Sequence, residues 1–202
     1  MNFFLLVTLA AAGAYALSSH QRRRVGLLAR HLRPYQIEKL METLIQGYLR
    51  AMGDPDVMRR AQALEALQGS EQQLSEQLER LAVDFSRVAT PLARVSRLPL
   101  GLPLPPQPFA GASFDMREAL AIHARGVACV ARNEAGLPPP DKAFMMTAEL
   151  LLLQHTCHWF CKSKMVASAR MLARHHTPYE QIVASVSPET RQAYAALTGA
   201  RP

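Results

Sequence analysis

No stretch of this sequence alternates apolar and polar residues with period two for long enough to build a sheet, which sets aside sandwiches and barrels. Cysteine is scarce: Cys129, Cys157 and Cys161 are an odd number, which argues against a disulfide framework. Cys157 and Cys161 stand four apart on a predicted helix. Their Cβ atoms would lie about 5–6 Å apart, beyond the roughly 3.8 Å of a disulfide. Reduced thiols are expected, as in a cytoplasmic body. Cys-x-x-Cys and His-Glu-x-x-His are both missing, and no segment repeats another. With 49% hydrophobic and 19% charged residues, the chain lacks the charge excess of a disordered protein. Its 202 residues suit one domain able to bury a core.

Long uncharged runs are also rare, which makes the first one informative. Residues 3–17, from Phe3 to Leu17, carry no charge, and Arg22-Arg23-Arg24 follows within a few positions. Three readings compete for it. A secretory signal would carry basic residues before its apolar core, yet only Met1 and Asn2 stand there; Ala14-Tyr15-Ala16 does fit a cleavage site, giving export after cleavage near Ala16 as an alternative. A helix buried in a soluble core, or lying on a partner, is another. The reading adopted is a signal anchor. At about 1.5 Å per residue the run spans roughly 22 Å, short of the roughly 30 Å bilayer core, with Ser18, Ser19 and a snorkelling His20 to extend it. Basic residues this close to an apolar segment stay on the cytoplasmic side. The anchor therefore implies a single pass of the inner membrane, with lipids around residues 3–17 and a cytoplasmic body.

The net charge of +7 is unevenly placed. Residues 20–52 carry seven basic and two acidic side chains, residues 53–98 sum to −1, and residues 99–202 to +3. Arg22, Arg23, Arg24, Arg30 and Arg33 are thus the expected membrane-surface contacts, at about 1 kcal/mol per basic residue near anionic headgroups. Nucleic acid would instead want this charge on one face of the body.

The body reads as helices. Ile37, Leu40, Met41, Leu44, Ile45, Tyr48 and Leu49 give an amphipathic helix that Gly53-Asp54-Pro55 ends. A short helix runs from about Asp56 to Gly69, and Ser70 is expected to cap a third with Leu74, Leu78, Leu81, Phe85 and Val88 on one stripe. Residues 98–113 hold five prolines and no charge, which predicts an apolar strap across the helices. A helix from about Phe114 to Asn133 follows, then a long one capped by Asp141 and running to about Ala173. It is apolar nearly all round between Ala143 and Cys161, which marks a helix enclosed by others. Short helices opened by Thr177-Pro178 and Ser187-Pro188-Glu189 complete the chain. The expected architecture is an all-α bundle of about six helices. Its segments are an anchor (1–19), an N-terminal helical region (20–97), the strap (98–113), and a C-terminal region (114–202) packed on the first as one domain.

Chemistry is densest at His155-Thr156-Cys157-His158-Trp159-Phe160-Cys161. Helical spacing sets His155 beside His158 and Cys157 beside Cys161, and these are nitrogen and sulfur ligands suited to zinc or a similar ion. His123, on the preceding helix, is a further candidate ligand. The plainer account makes the cysteines small hydrophobes and the histidines satisfied core residues, with Trp159 a core anchor and no cofactor implied. Glu149 would pair with an arginine such as Arg125.

The tail from Thr177-Pro178-Tyr179-Glu180-Gln181-Ile182 to Ser187-Pro188-Glu189-Thr190-Arg191 resembles a fragment of a helix-turn-helix DNA reader. The resemblance covers about twenty residues. It lacks the apolar-Gly turn, and Arg191 stands where a buried apolar residue belongs. It implies a nucleic-acid-binding regulator that uses the C-terminal helices. The residues together favour a membrane-anchored binding or scaffold protein of bacterial type, without catalytic activity, that carries a protein partner on its helical body. A metal- or thiol-dependent sensor or enzyme on the Cys157–Cys161 helix is the alternative from another class.

Overall fold

The structure, a computed structural model, describes the backbone of residues 2–98 and 110–199, with side chains except at 2–6, 9, 10 and 110. The expected strap therefore lies largely outside the described residues. All-α is the architecture: ten α-helices stand among the described residues, more than the six expected, beside one two-stranded sheet.

Helix α1 (Asn2–Leu32) is unbroken, so the uncharged run and the arginines after it share one helix instead of forming two segments. Among the described residues, no helix is long and apolar enough to cross a membrane. The body begins to cover α1 only near Leu17: Val7, Thr8 and residues 11–16 are exposed, and Leu28 is the first residue of α1 to reach the core.

Helix α2 (Ile37–Gly53) buries Ile37, Leu40, Leu44, Tyr48 and Ala51; of the stripe its spacing predicts, Met41 and Ile45 are partly buried and Leu49 is exposed. Asp56 caps α3 (Val57–Glu65), its carboxylate accepting from the N–H groups of Met58 and Arg59. Ser70 does not cap α4 (Gln68–Phe85). Ala66 and Leu67 stay near helical dihedrals, so α4 starts three residues early, and the Leu67 side chain packs on Gly47 where a Cβ would lie 2.8 Å from it. Leu74, Leu78, Leu81, Phe85 and Val88 are all buried, and α4 packs chiefly on α6 (Met116–Ala131).

A four-residue helix, α5 (Thr90–Ala93), leads into β1 (Arg94–Ser96), which pairs antiparallel with β2 (Ser113–Asp115). The pairs are Arg94 with Asp115, Val95 with Phe114, and Ser96 with Ser113. Three-residue strands are too short to show a period-two pattern, so the sequence did not reveal them. They staple together the two ends of the proline-rich segment. Phe114 thus belongs to a strand, and Asp115 caps α6 by accepting from Arg117 N–H at 2.9 Å.

Helix α7 (Pro139–Cys161) lies between two hydrophobic clusters. Ala143, Met146, Leu150, Leu153 and Phe160 face the larger one, shared with α2, α4 and α6. Ala148, Leu151 and Leu152 face a second, built with Met171, Tyr179, Ile182, Val183, Val186 and Tyr194. Enclosure on both sides explains its lack of a polar face. Asp141 sits in the first turn rather than at the cap. The helix ends at Cys161, not near Ala173, because Lys162 leaves helical dihedrals (φ −130°, ψ −88°) and Ser163 caps a new helix, α8 (Lys164–His175), by accepting from Val166 N–H at 3.2 Å. Helices α9 (Tyr179–Ser185) and α10 (Pro188–Thr198) follow, the latter capped by Ser187 as its sequence predicts.

Candidate functional site

Two places concentrate unusual chemistry: a buried polar seam along α7, and the junction where α1 leaves the body.

The seam begins at Glu149, fully buried on α7. Its Oε1 accepts from the Ser187 N–H (3.1 Å) and the Ser187 hydroxyl (2.8 Å), at the start of α10. No ion pair with Arg125 forms; Arg125 is exposed. Two neutral donors from a helix N-terminus meet Oε1 without burying a second charge. Oε2 lies against Gly126 and the Thr190 hydroxyl, where a Cβ on residue 126 would come within 2.7 Å and 2.2 Å of them. Burial pushes the Glu149 carboxyl above its ordinary value, against the pull of the Ser187 hydrogen bonds.

Two turns on, the Thr156 hydroxyl donates to Leu152 O at 2.9 Å. Its lone pairs then accept from His123 Nε2 at 2.9 Å and Tyr194 Oη at 3.0 Å, which places the His123 proton on Nε2. His155 stacks on Tyr179, centroids 4.4 Å apart, and its Nε2 meets Ser168 Oγ at 3.1 Å. Burial drives both His123 and His155 down to about 3, so both rings are neutral at physiological pH. Trp159 is the core anchor its sequence suggested: it donates to Ser96 O at 2.8 Å and meets Phe114 edge-on at 4.9 Å.

The five candidate ligands do not converge. His123 and His155 are engaged with separate hydroxyls, and among the described residues no group of three or more His, Cys, Asp or Glu side chains is placed to hold a metal ion. The three cysteines are free. Burial pushes Cys157 up to about 12 and Cys161 to about 11, so both remain protonated at neutral pH and neither is an activated nucleophile. The arrangement suits joining helices, not moving protons to a substrate.

No protein-family model, curated protein or solved structure matches the chain.

At the junction, Arg24 does not face a membrane surface. Its guanidinium turns into the body, donating to Phe160 O at 3.0 Å and to Arg94 O, and lies 5.0 Å over the Phe160 ring. Phe160 O is in the last turn of α7, so Arg24 satisfies a helix-end carbonyl with the cation that end prefers. Burial lowers Arg24 to about 10, which leaves it charged. Lys162 Nζ donates to Gln21 Oε1 at 3.0 Å, a second tie between the base of α1 and the end of α7. Arg22, Arg23, Arg30 and Arg33 are exposed. Sequence reasoning grouped Arg24 with them because all five share one segment; only the fold shows that it faces α7.

Proposed function

We propose that this is a membrane-attached binding or scaffold protein whose helical body stands on the cytoplasmic face, held by the N-terminal half of α1. One observation carries the reading: a helix tied to the body by Arg24 continues outward as an uncharged stretch whose described side chains as far as Ala16 are exposed. Tyr15 is 77% exposed and Val7 50%, and residues 11–16 are exposed around them. Apolar surface of this kind on one helix calls for a non-aqueous neighbour. The exposed Arg22 and Arg23 at its base suit anionic headgroups and favour a cytoplasmic body. A binding role is preferred to catalysis because the seam's histidines, hydroxyls and carboxyl are engaged inside the fold and sealed from solvent.

Fractionation of cells expressing the full chain tests this. The protein is expected with membranes, released by detergent but not by high salt, and Ala12→Asp together with Ala14→Asp should move it to the soluble fraction. A reporter fused after Pro202 should behave as cytoplasmic. Recovery of the wild-type chain in the soluble fraction without detergent would sink membrane attachment and leave a protein partner as the cover for α1. A mature chain beginning at Leu17 would mean export.

A further inference from the structure

Helix α8 buries Ala167 and Met171 against the body, yet it shows a second apolar stripe to solvent. Met165 (55% exposed) and Leu172 (54%) lie with exposed Ala169 and Ala173 at offsets of four, seven and eight, one face of a helix. Arg170 and Arg174, both exposed, lie along one side of it, toward His158 of α7. From Leu150 to Tyr179 there is not one acidic side chain, while Lys162, Lys164, Arg170 and Arg174 supply four cations. Lys162 and Arg170 lie near the base of α1, whereas Lys164 sits over the Trp159 and Tyr179 rings. Arg24, Lys162 and Arg170 all act on the Cys161 thiol, Arg170 and Arg174 on the His158 ring, and Lys162 is bonded to Gln21.

We infer that α8 is a second membrane contact, an interfacial helix that lays Met165 and Leu172 at the headgroup–acyl boundary of an anionic lipid surface while Arg170 and Arg174 meet the phosphates. An exposed apolar stripe bordered by arginines, with acids absent, is the pattern of a helix lying in the interface plane. Anionic lipid is preferred to nucleic acid because the cations border an apolar stripe that a phosphate backbone would leave wet, and because the patch continues from the root of α1. The inference rests on the membrane reading given above. It adds that the body lies against the bilayer at its α7–α8 elbow instead of hanging free.

Two vesicle populations, phosphatidylcholine alone and phosphatidylcholine with phosphatidylglycerol, compete for the full chain; the anionic-to-neutral partition ratio cancels the contribution of the α1 apolar half. Arg170→Gln/Arg174→Gln should lower that ratio roughly tenfold, from about 1 kcal/mol per basic residue reduced by salt screening. Arg59→Gln/Arg80→Gln, which removes two cations elsewhere on the body, should leave it unchanged. In the full chain, a tryptophan at Leu172→Trp should be quenched by brominated phosphatidylglycerol, and lose that quenching in the Arg170→Gln/Arg174→Gln background. If the chain joins vesicles of both kinds but the ratio ignores the arginines and the probe stays unquenched, α8 is not a lipid contact and the α1 reading survives. If the chain joins neither population, both fail. Retention of an RNA or DNA duplex that depends on Arg170 and Arg174, with no effect on vesicles, would reassign the patch to nucleic acid.

Discussion

The outer half of α1 and the helix α7 are both long, nearly uncharged stretches, and the protein treats them in opposite ways. Helix α7 is enclosed by two clusters, and each of its embedded polar side chains has a partner within the fold for at least one atom: Glu149 Oε1 by Ser187, Thr156 by His123 and Tyr194, His155 Nε2 by Ser168. The uncharged run of α1 carries few polar groups, and its described side chains before Leu17 are exposed. Hydrophobicity alone did not separate the two. Polar residues embedded in an apolar helix mark one that the protein itself surrounds, because each needs a partner that lipid does not offer.

The contrast breaks first at Leu150→Asp, which places an unpaired carboxylate in the larger cluster; loss of folding, at about 4 kcal/mol or more, is expected in chemical denaturation. If Leu150→Asp were tolerated, α7 would not be enclosed. Next is Glu149→Ala, which strands the Ser187 donors and opens a gap, at about 2–4 kcal/mol, whereas Glu149→Gln should cost far less. The Gln variant should also abolish a loss of stability that the wild type shows as pH rises from the unfolded carboxyl value, near 4.3, toward the raised folded value.

The two neutral histidines act at the other end of the scale. An unfolded imidazole takes up a proton as pH falls below about 6.5, while His123 and His155 stay neutral in the fold down to about 3. The unfolded state then binds more protons, so stability falls with falling pH by up to about 1.4 kcal/mol per unit for each ring. Melts from pH 7 to pH 4 should show that slope, and His155→Gln should shrink it by about half. Cys157→Ala should cost only about 1–2 kcal/mol, with no sensitivity to chelator; a stoichiometric metal lost in Cys161→Ala would overturn the reading of these residues. Smallest is Ala12→Asp in the uncovered half of α1, at under about 0.5 kcal/mol on the stability of the body. A large effect there would mean that the body, or a second copy, covers α1.

Local rules carried much of the fold. The caps at Asp56 and Ser187, the α2 and α4 stripes and the enclosure of α7 all follow from residues a few positions apart. What escaped depends on distant partners. The β1–β2 pair joins strands of three residues across the proline-rich segment, and Glu149 meets a residue 38 positions away, where the sequence pointed to Arg125. The break at Lys162-Ser163 hid inside a continuous helical pattern, although Ser163 was a legible cap signal. Missing it concealed α8, and with it the exposed stripe of Met165 and Leu172. The His–Cys cluster was legible as spacing, but which neighbour each ring chooses is decided by other helices.

The Arg24 clamp makes α1 a stalk without a joint at the point where it leaves the body. If, as proposed, the stalk's outer half is seated in lipid, the body would be held at a set height above the bilayer. A partner confined to the same leaflet would then meet it by searching a plane instead of a volume, and would meet nearly the same profile at every encounter. Modest contacts on the helical body would suffice for lasting association, since the bilayer has already removed most of the freedom that two free proteins lose on binding.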